Sequence, residues 1–121
     1  DDKGWELFKP KKEYNAAGEE GEGLLPAGRT GAYGRGKVMG YINHQGEMVI
    51  TMVFEEAGRF EGGYAIVKKN RLYGITNKIG WMVEEAKYDD ITRSSNYPGL
   101  FEGSLNGKKI YFEPGGKHFR K

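Results

Sequence analysis

Residues 40–49 read Gly-Tyr-Ile-Asn-His-Gln-Gly-Glu-Met-Val, and residues 74–83 read Gly-Ile-Thr-Asn-Lys-Ile-Gly-Trp-Met-Val. The triplet Phe-Glu-Glu at 54–56 returns as Tyr-Asp-Asp at 88–90, so both matches share an offset of 34 residues. An internal repeat at a fixed period of this length is typical of proteins built from stacked supersecondary units. The repeat therefore indicates the architecture, and it says little about activity.

The repeat extends in both directions. Residues 106–116 match residues 70–80 at an offset of 36, and residues 1–5 match the segments at 43–47 and 77–81. The corresponding turn glycines are Gly4, Gly46, Gly80 and Gly116. We expect a single all-β repeat domain over 1–121, with approximate units 4–45, 46–79 and 80–115 and a terminal strand at 116–121. The chain begins inside a turn, which suggests a fragment of a longer array or a mature form cut there.

Composition narrows the class of protein. Nineteen basic and 17 acidic residues leave a net charge of +2, which argues against a dedicated polyanion binder. The absence of cysteine excludes a disulfide scaffold, thiolate metal sites and thiol catalysis. No apolar run approaches the ~18 residues that a membrane span needs, and no signal-like segment opens the chain. We expect no membrane insertion, and both a cytoplasmic and an exported location stay open.

Short alternating segments separated by glycine turns predict β-strands, and no stretch has a sustained helical period. Two-residue hairpin loops are predicted at Asn70-Arg71 and Asn106-Gly107, and Gly46 is predicted to close a third hairpin. The predicted fold is all-β, with tandem β-hairpin repeats in about three units. These form either a small open repeat array or a closed barrel-like domain, since closure would remove exposed strand edges.

A family resemblance rests on residues 60–70, Phe-Glu-Gly-Gly-Tyr-Ala-Ile-Val-Lys-Lys-Asn, running into Tyr-Gly-Ile at 73–75 and Lys-Tyr-Asp-Asp at 87–90. This pattern resembles the WG-repeat family, also called KWG repeats. The Trp-Gly pair stands here as Met39-Gly40 and Tyr73-Gly74, and is replaced by Lys109-Ile110. The resemblance implies tandem β units in mostly bacterial proteins that serve as interaction modules. It implies no catalytic residues.

One aromatic residue recurs in each unit, as Tyr14, Phe54 and Tyr88. A single hairpin is marginally stable in water, so each unit needs neighbours to cover its aromatic face. We therefore predict that these three residues are core anchors. A row of rings that stacks on a ligand is the alternative.

Acidic residues follow two of the anchors and also cluster near residue 20. The pairs at 55–56 and 89–90 could bind a hard cation, but we favour turn capping or a solvated edge. Glu19, Glu20 and Glu22 could supply paired carboxylates for glycoside hydrolysis. We favour a solvated loop there, because a glycine-rich segment would not hold the two acids rigidly. Neither His44 nor His118 lies in a metal-ligand motif.

The loop at 28–37 mixes basic, aromatic and glycine residues and has no counterpart in the other units. We predict a non-enzymatic module that needs no cofactor or metal and binds a protein partner through this loop, joined by the loop at 94–98. The candidate binding residues are Arg29, Tyr33, Arg35, Lys37 and Tyr97. The alternatives are binding of nucleic acid or a phosphate ligand by loop 28–37, carbohydrate binding, and a structural spacer in a cell-envelope protein.

Overall fold

A computed structural model of the chain describes residues 16–30, 36–114 and 118–120, the last of these for the backbone alone. These residues form twelve β-strands in three four-stranded antiparallel sheets. The all-β prediction is thereby confirmed. Within the described ranges, no helix has the length and apolar character that crossing a membrane requires.

Each sheet is formed by four consecutive strands. Sheet 1 contains β1 (Ala16–Ala17), β2 (Leu25–Arg29), β3 (Val38–Ile42) and β4 (Met48–Phe54). Sheet 2 contains β5 (Glu56–Ala57), β6 (Tyr64–Lys69), β7 (Leu72–Asn77) and β8 (Met82–Tyr88). Sheet 3 contains β9 (Asp90–Arg93), β10 (Phe101–Leu105), β11 (Lys108–Phe112) and β12 (His118–Arg120).

The sheets are open, and the closed barrel-like arrangement predicted as one alternative is wrong for the described residues. In every sheet each strand pairs with the next strand along the chain, so two edge strands remain. The chain leaves sheet 1 at Phe54 and enters sheet 2 at Glu56, with Glu55 alone between them. Asp89 makes the same step between sheets 2 and 3. The chain bends at each of these two residues and begins a new sheet. The preceding sheet therefore gains no further strand and does not close into a barrel.

The predicted hairpin loops are confirmed. Both residues of the β6–β7 loop have positive φ, with 53° at Asn70 and 68° at Arg71. The β10–β11 loop has the same form, with 52° at Asn106 and 81° at Gly107. These are the angles of a type I′ turn, whose twist matches that of the flanking strands.

A β-bulge explains why the repeat has glycine at positions 40 and 74. Between the pairs Tyr73↔Tyr88 and Ile75↔Glu84, strand β8 contains two more residues than β7, and its backbone crowds Gly74. A Cβ atom on Gly74 would lie 2.7 Å from the carbonyl oxygen of Glu84. Gly40 approaches the backbone of β4 in the same way. Glycine is therefore needed here, while the residue before it varies.

Among the described residues, two hydrophobic clusters lie at the junctions between sheets, and a third, formed by Leu25, Ala27 and Ile42, lies within sheet 1. One cluster joins Tyr41, Ile50 and Phe54 of sheet 1 to Ala65 and Val67 of sheet 2. The other joins sheets 2 and 3, and its buried members are Ile75, Tyr88, Ile91, Phe101, Ile110 and Phe112. Phe54 and Tyr88 are 2% and 0% exposed, which confirms both as core anchors. Tyr14 lies outside the described residues.

Candidate functional site

Strand direction alternates within each sheet, so its loops fall at two opposite ends. The first end of a sheet is the end that carries two loops, one between its first and second strands and one between its third and fourth strands. The second end carries the loops that join second to third strands. Glu22 of sheet 1 contacts two first-end loops of sheet 2, at Gly62 and Lys78, and a cleft at Gly62 is also lined by Pro98 and Pro114 of sheet 3. The first ends of all three sheets therefore form one surface.

Glu22 connects sheet 1 to sheet 2 at this surface. Its carboxylate accepts hydrogen bonds from the backbone N–H groups of Gly62 and Gly63, both at 2.9 Å. The ammonium of Lys78 lies 3.7 Å from the same carboxylate. Gly62 and Gly63 have φ of 64° and 88°, and successive amides in this conformation form a concavity that binds anions. We call this arrangement the Glu22 clamp.

The clamp favours the ionised form of Glu22. The N–H of Gly63 contributes most to lowering the pKa of Glu22, and partial desolvation opposes it. The N–H of Gly62 and the charge of Lys78 lower the pKa further. Hydrogen bonds to a carboxylate stabilise its charged form, so the contact is strongest where Glu22 is ionised.

An arginine five residues after Phe54, and another five residues after Tyr88, ties its sheet to the preceding one. Arg59 donates from Nε to the carbonyl oxygen of Glu20 at 2.9 Å. Arg93 donates to the carbonyl oxygen of Tyr64 at 2.8 Å, and its guanidinium lies 4.8 Å from the centre of the Phe101 ring. These arginines were missed in the sequence analysis, although their separation equals the offset of 34 residues.

The junction between sheets 2 and 3 contains a cleft of about 410 Å³ at the first end. Gly62 of sheet 2 is here the equivalent of Glu22 in sheet 1. Pro98 of sheet 3 is the equivalent of Gly62 in the Glu22 clamp, and it has no N–H to donate. The loop before Pro98 is two residues longer than its counterpart in sheet 2, as the change of offset from 34 to 36 indicates. The lining residues include Glu61, Gly62, Tyr64, Arg93, Pro98, Leu100 and Phe101.

Two first-end turns share one geometry but differ in surface chemistry. Asn43 Oδ1 accepts hydrogen bonds from the second and fourth following amides, both at 3.0 Å. Asn77 Oδ1 accepts the equivalent two, at 3.1 and 2.9 Å. The outer positions of the first turn are polar and read Gln45 and Glu47. In the second turn the same positions carry two large apolar side chains, namely Ile79 and Trp81, which are 79% and 70% exposed.

The predicted binding residues do not form one cluster. Arg29 and Lys37 are exposed and flank the second-end loop of sheet 1. Tyr33 and Arg35 lie outside the described residues. Tyr97 is at the first end of sheet 3, 52% exposed, with its ring edge-on to Tyr111 at 5.2 Å. Tyr97 is therefore at the opposite end from Arg29 and Lys37. Ile79 and Trp81 were not predicted as binding residues. Aligning the two repeats would have identified them, because the equivalent residues Gln45 and Glu47 are polar.

Four of the acidic candidates make structural contacts. Glu55 accepts a hydrogen bond from the N–H of Arg71 at 3.0 Å, which confirms turn capping at this position. Glu56 lies 3.4 Å from the ammonium of Lys68. Glu20 accepts from the N–H of Gly23 at 3.0 Å, so Glu20 and Glu22 both serve backbone amides. Within the described ranges, no group of three His, Cys, Asp or Glu side chains is arranged to hold a metal ion.

Comparison with known proteins identifies one sequence family. The model of the family described as WG containing repeat matches residues 39–73. The match begins at Met39 and ends at Tyr73, which are equivalent positions one period apart, and it confirms the resemblance to WG repeats. No curated protein and no solved structure matches the chain. Because the match runs from β3 into β7, one sequence repeat contributes strands to two sheets.

Proposed function

We propose that this chain, which carries a WG repeat at residues 39–73, is a non-enzymatic interaction module that binds a protein partner at its first end. The observation that carries the proposal is the pair Ile79 and Trp81. They occupy a turn whose fold is already supported by the contacts of Asn77. The homologous turn keeps the same contacts with Gln45 and Glu47, so folding of the turn does not require apolar side chains.

The exposure of these side chains supports a protein surface as the ligand. Leaving a tryptophan and an isoleucine in water forgoes the free energy that their burial would yield, on the order of 1.5–3 kcal/mol for each side chain. Aromatic side chains are enriched at the centres of protein interfaces, where they contribute disproportionately to affinity. Tyr97, on the same end, adds a further exposed ring. A partner that covers these rings would recover the burial energy.

The test compares capture of partners by matched variants. The whole chain is used as bait in lysate, with and without nuclease treatment, against the double variant Ile79→Gln/Trp81→Glu, which copies the polar turn of sheet 1. The control is Gln45→Ala/Glu47→Ala at that polar turn. We expect a saturable protein partner that the first variant binds at least roughly tenfold more weakly, since hot-spot residues contribute more than 1.4 kcal/mol. The control should bind as wild type does.

Three results would contradict the proposal. Equal capture by wild type and the Ile79/Trp81 variant would exclude the turn as the binding surface. Binding that disappears with nuclease and falls steeply with salt would favour the nucleic-acid or phosphate alternative through loop 28–37. The absence of any partner would favour the carbohydrate or spacer alternative. Thermal melts of wild type and the Ile79/Trp81 variant should agree, because Asn77 keeps its backbone contacts. The control loses the exposed hydrogen bond from Asn43 Nδ2 to Glu47 Oε1 at 3.0 Å, so its melt shows whether that contact matters.

A further inference from the structure

The two junctions between sheets share part of their construction and differ at the first end. Both have an aromatic anchor in the core, and both have an arginine that donates to a carbonyl oxygen of the preceding sheet. At the first junction the carboxylate of Glu22 closes the first end by accepting hydrogen bonds from two backbone amides. At the second junction the equivalent position is Gly62, and a cleft of about 410 Å³ lies there. The second junction therefore has no clamp, and its arginine, Arg93, lines the open cleft.

We propose that this cleft binds an acidic side chain from an extended segment of the partner protein, whose carboxylate pairs with Arg93. The inference rests on the proposed function and specifies the chemistry of the partner. Arg93 supplies the complementary charge, since the described contacts use one of the five N–H donors of its guanidinium. Arginine binds carboxylates through paired hydrogen bonds that are stronger than neutral ones.

The remaining walls indicate what flanks the acid. Tyr64, Leu100 and Phe101 present apolar surface, and Pro98 closes one side. Glu61 also lines the cleft, but its carboxylate lies 3.4 Å from Arg59 and is thereby partly neutralised. The cleft volume is within the ~300–1,000 Å³ range of ligand sites, enough for one side chain and part of its backbone. A segment with leucine-like residues on both sides of a glutamate fits these walls.

The probe is a pair of blocked tripeptides, acetyl-Leu-Glu-Leu-amide and acetyl-Leu-Gln-Leu-amide, titrated into the ¹⁵N-labelled whole chain. We expect the glutamate peptide to shift the amide signals of Gly62, Gly99 and Leu100 and to bind at least roughly fivefold more tightly than the glutamine peptide, because its hydrogen bonds are charge-assisted. Equal affinities, or shifts confined to other residues, would overturn the inference.

Two variants make the test specific. Arg93→Gln keeps an N–H donor for the Tyr64 carbonyl oxygen but removes the charge, so it should abolish the preference for glutamate. Gly62→Glu/Pro98→Gly should rebuild a clamp at the second junction, since Gly62 has φ of 64° and Glu22 adopts 53° at the equivalent place. That double variant should lose peptide binding. Retention of the preference in the first variant, or of full binding in the second, would overturn the inference.

The inference and the proposed function fail separately. If neither tripeptide binds while capture of a partner still depends on Ile79 and Trp81, the cleft is not the acid site and the interaction module stands. If the glutamate peptide binds at the cleft while the Ile79/Trp81 variant captures the same partner as wild type, the cleft is a ligand site and the proposed turn surface falls.

Discussion

The hydroxyl of Tyr88 donates a hydrogen bond to Oε1 of Glu84 at 3.1 Å, and both side chains are buried. In the preceding sheet the same two positions hold Phe54 and Ile50, which are also buried. The repeat therefore accommodates either a hydrogen-bonded polar pair or an apolar pair. Burial raises the pKa of Tyr88, and the nearby carboxylate of Glu84 raises it further.

This pairing predicts strong coupling between the two side chains. Tyr88→Phe removes a donor from a buried carboxyl group, and we expect a loss of about 1–3 kcal/mol in the free energy of unfolding. The double variant Glu84→Ile/Tyr88→Phe reproduces the apolar pair and should recover most of that loss. Urea unfolding of both single variants and the double variant measures the coupling. A double variant whose loss equals the sum of the two single losses would contradict the prediction.

In sheet 3 the buried glycine lies on the second strand instead of the third. Gly103 pairs with Ile110, whereas in the other sheets the glycine lies on the third strand, as in Val67↔Gly74. A Cβ atom on Gly103 would lie 2.9 Å from the Tyr88 ring and 3.0 Å from the Phe112 ring. These rings stack at 5.1 Å and occupy the space that the missing side chain leaves.

Gly103→Val should therefore destabilise the chain by about 1–3 kcal/mol through overpacking, as measured by urea unfolding. The double variant Gly103→Val/Ile110→Gly, which restores the arrangement of sheet 2, should be more stable than Gly103→Val alone. Ser104→Val, one residue along the strand and pointing to the other face, is the matched control. A Gly103→Val protein as stable as wild type would show that the rings can yield.

The Glu22 clamp predicts a pH-dependent stability. Its pKa in the folded chain lies below the ordinary 4.5, so the clamp stabilises the fold above that value, and the stabilisation is lost as pH falls through the folded pKa. Glu22→Gln should lower Tm at pH 7, and the difference from wild type should vanish in acid. Glu85→Gln, an exposed carboxylate in β8, serves as the control. A Tm difference that does not depend on pH would contradict an ionic clamp.

The turn at 77–81 depends on Asn77. Its side-chain oxygen accepts hydrogen bonds from two backbone N–H groups. Asn77→Ala should therefore lower the free energy of unfolding by about 1 kcal/mol. Asn77→Asp retains the acceptor and should be less destabilising. Chemical denaturation of the two variants gives the comparison. Equal losses would show that the side-chain oxygen contributes little.

The basic loop at the second end predicts a separate effect on binding. Under the nucleic-acid or phosphate alternative, Arg29→Ala/Arg35→Ala should weaken binding without changing Tm, because Arg29 is exposed at the end of β2. The measurement is the affinity for the captured partner across a salt series, in which a loss confined to low salt indicates electrostatic attraction. Unchanged affinity would exclude this loop from the binding surface.

Local and repeated features were predictable from sequence. The offset of 34 residues predicted tandem β units, and the turn residues Asn70 and Asn106 predicted their hairpins. Burial of Phe54 and Tyr88 followed from their recurrence, since a repeated hairpin must cover its apolar face. Each of these inferences depends on neighbours in the chain or on comparison of one repeat with the next. Such information is present in the sequence without coordinates.

Contacts between sheets were decided by tertiary structure. Glu22 contacts Gly62, which is 40 residues away in the chain, although the glycine-rich sequence around Glu22 predicted a solvated loop. The order of the strands in each sheet places Tyr97 at the first end and Arg29 at the second end, although both were predicted to belong to one binding surface. The cleft beside Arg93 arises where a glycine and a proline replace the parts of a clamp. The amino-acid sequence by itself determined the repeating hairpins, because turn angles and strand alternation are local. Tertiary structure alone decided the clamp, the cleft and the shared first end, because these depend on how one sheet packs on the next.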